Sequence, residues 1–224
     1  PGVPGGVPLR GLSPAEPLRF RHRPIMGGPW TPGADDAAEG ESFGAFLKAL
    51  HALPVDEAVA AGARDAEEIS GEQQRLRERC STEVVPRLPR SAQAPALAVL
   101  MRQIGVGEID ATFVHADVRA EHLLRGEEGL TGVIDWLDAG IGDPAMDLAW
   151  PLYGATPQFA EGFRAAYGVP SGLEARAKDH HLLRGMLGVL RALDRTDVAA
   201  AEEMSARLER ILSDVESIHG GRRL

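Results

Sequence analysis

The chain has 224 residues, of which 44% are hydrophobic and 25% are charged, and this balance indicates a globular protein with a substantial core. Its 33 acidic residues outnumber 24 basic ones, and the net charge of −9 argues against a nucleic-acid partner. Cys80 is the one cysteine, which excludes an internal disulfide, and no apolar run reaches the roughly 18 residues of a membrane span. We therefore expect a cytoplasmic protein.

Extended pieces and then helices are predicted for the first half of the chain. Residues 1–34 are rich in Pro and Gly and predict short extended pieces. A first amphipathic helix, which ends at Pro54, is predicted from apolar residues at helical spacing: Phe43, Phe46, Leu47, Leu50 and Leu53. The stretch from Asp56 to about Val85 predicts further helix, with a break near Gly71.

A short β-containing region between helices is predicted for the second half. Ser91 is a suitable N-cap, so a helix is predicted from there to about Ile104. Strands follow, and the chain becomes helical again after Pro144, with Ser171 and Thr196 as predicted caps. These last helices are predicted at about 145–153, 157–167, 173–193 and 197–218.

A β-hairpin is predicted in the middle of the β-containing region. Leu123-Leu124 and Leu130 to Trp136 have the character of short strands, and Gly126-Glu-Glu-Gly129 supplies the turn between them. Such a hairpin carries His122 and Asp135 to the same end of a small sheet. Convergence of these two side chains is therefore expected.

Asp117 lies in the loop just before the hairpin, after the short β-branched and aromatic run Thr112-Phe113-Val114. Two carboxylates and one imidazole are then expected to converge, which suits a divalent cation that also binds waters and phosphate oxygens. The carboxylate that does not bind the metal could accept a proton from an alcohol.

The segment 112–150 resembles the aminoglycoside phosphotransferase family, a protein-kinase-like group that transfers the γ-phosphate of ATP to hydroxyls of small molecules. The family pattern is H-G-D-x-x-x-x-N, then a hydrophobic residue with D-[WF], then G-D-P-x-x-D-L-A. In this chain it appears as His115-Ala116-Asp117, His122, Ile134-Asp135-Trp136, Gly142-Asp143-Pro144 and Asp147-Leu148-Ala149. Macrolide phosphotransferases of this family also have His where the pattern has Asn. Phe20–Trp30 is similar to the segment that joins the two lobes of these proteins, and Ser42–Pro54 to the family's LGxxLxxLH helix.

The resemblance implies roles for the side chains of the segment. Asp117 is expected to be the catalytic base, and His115, which belongs to the same catalytic set, is expected to brace the loop. Asp135 is expected to be the main Mg²⁺ ligand, with His122 at the second metal position. Asp143 and Asp147 are expected to organise the loop and the start of the next helix.

The resemblance also implies an α+β, protein-kinase-like fold: a mostly helical C-terminal lobe with a small catalytic β-hairpin. Residues 1–30 are expected to be a remnant of the N-terminal lobe and the inter-lobe linker, with Ile25 and Trp30 contacting the nucleotide, and residues 31–224 the helical lobe. Most of the N-terminal lobe is expected to be missing from this chain. Its two lysines, Lys48 and Lys178, lie in helical patterns, and neither suits the ATP-binding strand lysine of that lobe.

The function expected from the resemblance is transfer of the γ-phosphate of ATP or GTP, with Mg²⁺, to a hydroxyl of a small molecule such as an aminoglycoside or a macrolide. Two alternatives stay open on the sequence. One is a catalytically inactive kinase-like binding module, which the missing lobe and the His at position 122 favour. The other is a metal-dependent hydrolase with a closed metal cage of histidines and aspartates. The sequence leaves the acceptor and the oligomeric state open.

Overall fold

The computed structural model describes residues 7–8, 27–104, 110–127 and 129–220 of the chain. The described residues are mostly helical and carry two small sheets, so the fold is of the predicted α+β class. None of the helices within these ranges is long and apolar enough to cross a membrane.

The chain divides into two compact units. The first consists of Pro1–Ile69 and Ile109–Lys178 and contains the whole segment that resembles the phosphotransferases. The second consists of Ser70–Glu108 and Asp179–Leu224. The boundary near residue 30 that the resemblance implies between two lobes stays a prediction.

The strands of the first unit form two antiparallel sheets. In chain order the strands are β1 (Val7–Pro8), β2 (Gly28–Pro29), β3 (Thr112–Val114), β4 (Leu123–Gly126), β5 (Gly129–Val133) and β6 (Gly140–Gly142). One sheet has the order β1-β5-β4-β2, and β3 pairs with β6 in the other. The predicted hairpin of β4 and β5 is confirmed, but its second strand ends at Val133 rather than Trp136. Asp135 therefore lies in the loop just beyond β5.

The helices follow the predicted order with shifted ends. They are α1 (Asp36–His51), α2 (Val55–Ala60), α3 (Ala66–Arg79), α4 (Arg90–Ile104), α5 (Ala145–Tyr153), α6 (Pro157–Tyr167), α7 (Ser171–Asp194) and α8 (Val198–Gly220). The predicted break near Gly71 is wrong, because Gly71 lies within α3. The break follows α2, where Gly62 has a φ of +97°, a conformation that glycine adopts readily and a helix cannot contain.

None of the three predicted N-caps takes the cap position, and Ser171 is the first residue of α7 itself. Ser91 lies inside the first turn of α4, and its hydroxyl donates to the Glu209 carboxylate at 2.9 Å instead of capping the helix. Thr196 has a left-handed backbone with φ of +56°, which does not suit a cap. Asp197 takes that role, because its carboxylate accepts a hydrogen bond from the Ala200 N–H at 3.1 Å.

Helices α1 and α6 pack backbone to backbone in the core of the first unit. A Cβ atom on Gly40 would overlap the Phe159 carbonyl oxygen, and one on Gly162 would overlap the Ala37 carbonyl oxygen. The fully buried rings of Phe43, Phe159 and Phe163 fill the core beside this contact. This packing fixes α1, which carries His51 at its C-terminal end.

The second unit has its own apolar core. Cys80, the free thiol of the chain, is fully buried there, and burial raises the pKa of the thiol to about 12, which keeps it protonated and unreactive. Other members of this core are Val84, Val85, Leu100, Leu182, Met186 and Leu208.

Candidate active site

The loop between β3 and β4 presents two charged side chains on the same side. Arg119 is extended, with φ of −160° and ψ of 169°, and the intervening Val118 is fully buried. Because side chains alternate in extended chain, Asp117 and Arg119 both point away from the core. A single 3₁₀ turn, Ala120–His122, then leads into β4, and the His122 N–H donates to the Arg119 carbonyl oxygen at 3.0 Å.

The hairpin brings His122 and Asp135 together. Leu123 pairs with Val133 in the ladder, and the Ile134 N–H donates to the His122 carbonyl oxygen at 2.9 Å, so the residues that flank the two strands lie side by side. The Nε2 atom of His122 is 3.4 Å from Oδ2 of Asp135. Asp135 is exposed and has a left-handed backbone with φ of +64°, a strained conformation that often marks functional positions.

The imidazole of His122 lies between the two aspartates. Its Nδ1 atom is 2.8 Å from the carbonyl oxygen of Asp117 and 3.7 Å from Oδ2 of the same residue. A carbonyl only accepts, so Nδ1 carries the hydrogen in the neutral ring, and the lone pair of Nε2 faces Asp135. The structure thus brings Asp117, His122 and Asp135 together as the hairpin predicted.

Arg119 contacts the carboxylate of Asp117. Its Nε atom donates to Oδ2 at 3.1 Å, and its Nη2 atom donates to the same oxygen. The Asp117 side chain is 13% exposed and that of Arg119 is 37% exposed. The sequence did not predict this ion pair. Side chains two residues apart lie on the same side only in an extended segment, and the extended conformation of this loop is known from the structure alone.

His115 joins the loop to the end of the hairpin. Its ring is fully buried and lies 4.6 Å from the Trp136 ring, centroid to centroid. Nε2 is 2.9 Å from the Ile134 carbonyl oxygen, and Nδ1 accepts the Asp117 N–H at 3.3 Å. Burial lowers the pKa of His115, which keeps the ring neutral with its hydrogen on Nε2. Both ring nitrogens therefore contact backbone atoms.

Asp147, at the start of α5, holds the backbone of the loop. Its two carboxylate oxygens accept the N–H groups of His115 and Ala116, each at 2.8 Å. His51 Nε2 lies 3.1 Å from the same carboxylate, and His51 Nδ1 lies 2.8 Å from the Tyr167 hydroxyl. Sequence reasoning missed His51 and Tyr167; the histidine that ends the LGxxLxxLH-like helix was the available signal.

Asp143 fixes the turn before α5. Arg176 donates from Nε and Nη2 to its two oxygens, at 2.9 and 3.1 Å. Asp143 Oδ1 also accepts the Ala145 N–H at 2.9 Å, which stabilises the first turn of the helix. Asp143 and Asp147 thus organise the loop and the helix start, as the resemblance implied.

The donor set of His122 and Asp135 fits a small divalent cation. Neighbouring ligands of an octahedral Mg²⁺, each about 2.1 Å from the ion, lie about 3 Å apart. The 3.4 Å between His122 Nε2 and Asp135 Oδ2 is close to that spacing. The hydrogen bond from Nδ1 to a backbone carbonyl is the kind of contact that orients histidine ligands of metals. Within the described ranges no cluster of three or more His, Cys, Asp or Glu is arranged to hold a metal.

Residues 3–180 match the family model described as "Phosphotransferase enzyme family". The chain belongs to this family. No curated protein sequence matches the chain significantly.

Solved phosphotransferases share the fold of the chain. The GDP and kanamycin complex of APH(2")-IIia has a TM-score of 0.72 at 20% identity, over 86% of this chain and 70% of that one. The GDP complex of wild-type aminoglycoside 2'-phosphotransferase-IIIa has a TM-score of 0.66 at 22% identity, over 81% and 64%. The apoenzyme of macrolide 2'-phosphotransferase MphH from Brachybacterium faecium has a TM-score of 0.60 at 23% identity, over 82% of this chain and 67% of that one. This chain thus spans about two thirds of these proteins, and the predicted kinase-like fold is confirmed.

Of the two predicted nucleotide contacts in this family member, Trp30 lies within the described residues and Ile25 lies outside them. The Trp30 indole is buried and donates to the Glu39 carboxylate at 2.7 Å. Its ring makes edge-to-face contacts with Trp150 and Phe159, at centroid distances of 5.4 and 5.2 Å. The nucleotide-binding roles of Trp30 and Ile25 stay predictions.

Replacement of Ala116 by glycine is expected to stabilise the protein. The family pattern has Gly at this position, and Ala116 adopts a left-handed φ of +66°. An L-residue pays about 1–2 kcal/mol for this conformation, and the larger entropy of glycine in the unfolded chain offsets part of the gain. The Ala116→Gly variant should therefore gain about 0.5–1 kcal/mol in the free energy of unfolding measured with urea.

The control is Ala175→Gly at an exposed position inside α7, which is expected to lose about 1 kcal/mol because glycine is unfavourable inside helices. Equal destabilisation by both substitutions would show that the loop backbone at position 116 is not strained.

Replacement of Asp147 by asparagine is expected to destabilise the protein by about 3–5 kcal/mol. An amide keeps one acceptor but turns an NH₂ group toward a buried donor, either a loop N–H or His51. Urea unfolding at pH 7 measures the loss. The control is Glu174→Gln, which removes a half-exposed ion pair with Arg164 (2.8 Å) in the same unit and should cost at most about 1 kcal/mol. A similar cost for both variants would contradict the role assigned to Asp147.

The contribution of Asp147 is also expected to depend on pH. Burial opposes its ionisation, but hydrogen bonds from His51 and from the His115 backbone outweigh burial, so the pKa of Asp147 lies below its ordinary range. The stability that this carboxylate contributes is therefore present above the pKa of an unfolded aspartate, about 4, and is lost as the pH falls below it. Urea unfolding measured from pH 7 to 3 should show that the free energy of unfolding falls more steeply with acid in the wild type than in Asp147→Asn.

Proposed function

We propose that the protein transfers the γ-phosphate of a nucleoside triphosphate, ATP or GTP, to a hydroxyl of an aminoglycoside or macrolide antibiotic, with Mg²⁺ as cofactor. The observation that carries the proposal is the convergence of Asp117, His122 and Asp135 at one end of the hairpin. The family membership of residues 3–180 supports phosphotransfer. The GDP and kanamycin in the first of the similar structures support the nucleotide and the acceptor class.

His122 and Asp135 are proposed to hold the metal. The Nε2 lone pair and the exposed carboxylate, 3.4 Å apart, provide one nitrogen and one oxygen donor. Bound there, Mg²⁺ supplies positive charge that neutralises the β- and γ-phosphates. Asp135 is exposed, so a nucleotide can approach its carboxylate from solvent.

Asp117 is proposed to be the base, held in place by the loop that His115 and Asp147 brace. The acceptor hydroxyl oxygen forms a bond to the γ-phosphorus, and the bond from that phosphorus to the β–γ bridging oxygen breaks. The hydroxyl proton passes to the Asp117 carboxylate, and the nucleoside diphosphate leaves. Positioning of the reacting groups supplies most of the acceleration in such transfers.

We do not favour the metal-dependent hydrolase. A closed metal cage needs more protein ligands than His122 and Asp135. The nearest further imidazole, that of His115, uses both ring nitrogens for contacts with backbone atoms.

An acceptor panel tests the proposed function. The protein, expressed from its complete reading frame, is incubated with Mg²⁺ and either ATP or GTP against aminoglycosides, macrolides, sugars and amino alcohols. Diphosphate formation should depend on one acceptor class, and mass spectrometry should find that acceptor phosphorylated. Phosphate release without any acceptor would favour the hydrolase, and Mg²⁺-dependent nucleotide binding without turnover would favour the inactive binding module.

A further inference from the structure

Arg119 contacts the proposed base but has no role in the family pattern, which leaves that position unspecified. We propose that Arg119 is a positioning residue: it holds Oδ2 of Asp117 and thereby directs Oδ1 toward the acceptor hydroxyl. This inference rests on the proposed phosphotransfer and adds to it the residue that orients the base.

The contact geometry favours one oxygen of the carboxylate. Both donors of Arg119, Nε and Nη2, converge on Oδ2 of Asp117. His122 Nδ1 is 3.7 Å from the same Oδ2 atom. The terminal torsion of an aspartate is otherwise broad, so two donors on one oxygen restrict a rotation that the backbone leaves loose. The carboxylate oxygen that takes the proton is thereby selected.

The backbone keeps Arg119 in reach of Asp117. The buried Val118 between them anchors the extended segment, so both side chains stay on its outer side. The Arg119 carbonyl oxygen accepts the His122 N–H at 3.0 Å, which ties Arg119 to the turn that carries the proposed metal ligand. The backbone of Arg119 is thus fixed relative to both proposed chemical groups.

The exposure of the pair argues against a purely structural role. With 37% of the Arg119 side chain and 13% of the Asp117 side chain exposed, the ion pair is partly screened by water. Such pairs contribute little to folding. The pair therefore adds little stability, whereas a cation beside the proposed base restricts the orientation of its carboxylate directly.

During the proposed transfer Arg119 keeps its two N–H groups on Oδ2 while the proton of the acceptor hydroxyl passes to Oδ1. Arg119 touches neither acceptor nor phosphate in this scheme, so its effect is indirect. Loss of its contact should slow the chemical step without weakening nucleotide binding.

A double-mutant cycle tests this coupling. In Arg119→Gln, kcat should fall roughly 10–100-fold, as expected for a misplaced catalytic group, while the nucleotide KM changes less than about threefold. Arg119→Lys, which keeps a charged donor, should recover part of the loss. In an Asp117→Asn background, Arg119→Gln should cause no further fall, because the group that it positions is absent. Arg164→Gln, at a surface pair, is the control and should leave kcat unchanged.

Three kinetic outcomes would overturn the proposal. One is an unchanged kcat in Arg119→Gln, and another is an equal fall in the wild-type and Asp117→Asn backgrounds. The third is a nucleotide KM that rises in step with the fall in kcat, which would assign Arg119 to phosphate binding.

Crystal structures of the wild type and Arg119→Gln test independently of turnover whether Arg119 orients the Asp117 carboxylate. The Asp117 carboxylate should rotate away from its wild-type orientation in the variant, and an unchanged orientation would overturn the positioning role. If the wild type phosphorylates no acceptor, the proposed function fails, but this comparison still reveals whether Arg119 orients Asp117.

Discussion

Asp117→Asn is expected to lower kcat for phosphotransfer by roughly 10²–10⁴-fold, the usual contribution of a general base. An amide cannot accept the proton of the acceptor hydroxyl, although it keeps the shape of the side chain. Nucleotide affinity should change little, because His122 and Asp135 remain to hold the metal. Steady-state kinetics with the acceptor found in the panel, together with calorimetry for the nucleotide, measure the two effects separately.

The control for this variant is Asp56→Asn, which changes an exposed carboxylate on α2 of the same unit and should retain full activity. A melting temperature close to that of the wild type would show that Asp117→Asn remains folded. Full activity of a folded Asp117→Asn protein would remove Asp117 from the role of base.

Asp135→Ala is expected to abolish the Mg²⁺-dependent part of nucleotide binding. Contacts that only orient metal ligands are worth about 10–100-fold in metal affinity, so loss of a ligand itself should cost at least about 100-fold. Calorimetric titrations with the nucleotide in the presence of Mg²⁺ or EDTA measure the difference. In the variant the two titrations should coincide.

Alanine at position 135 also has to adopt the left-handed backbone that Asp135 has, with φ of +64°. Asparagine tolerates this conformation and keeps the size of the side chain, so Asp135→Asn separates loss of the charge from strain. Both variants should lose Mg²⁺ dependence, with Asp135→Asn the more stable of the two. Unchanged Mg²⁺-dependent binding in both would refute the assignment of Asp135 as a ligand.

The arrangement of Asp117, His122 and Asp135 was predictable because local sequence signals determine it. The Gly126–Gly129 turn fixes the hairpin, and the hairpin dictates that His122 and Asp135 lie at the same end. The position of Asp117 in the loop before β4 follows from the same spacing. These relations join residues that are close in the sequence, where turn chemistry and strand periodicity act directly.

Contacts between distant parts of the chain were not predictable in the same way. His51 and Asp147 are 96 residues apart, and His51 and Tyr167 are 116 apart. Neither contact follows from periodicity, because each depends on how α1 packs against α5 and α6. Even the Arg119–Asp117 pair required knowledge of the extended loop, since two residues in a helix or turn would diverge.

The wrong boundaries have local causes that composition does not reveal. Gly62 and Gly71 are equally plausible helix breakers in the sequence, yet only Gly62 adopts a positive φ. At Thr196 the sequence suggests a cap, but the left-handed backbone shifts that role to Asp197. Backbone conformation at single residues decided these cases, and the residue types alone do not determine it.

The most direct measurement is the anomalous scattering of Mn²⁺ in crystals of the protein grown with Mn²⁺ and a non-hydrolysable nucleoside triphosphate analogue. We expect an anomalous peak within bonding distance of both His122 Nε2 and the Asp135 carboxylate, with phosphate oxygens completing the coordination and Asp117 facing the γ-phosphate. A nucleotide-bound Mn²⁺ that touches neither His122 nor Asp135 would contradict the proposed site.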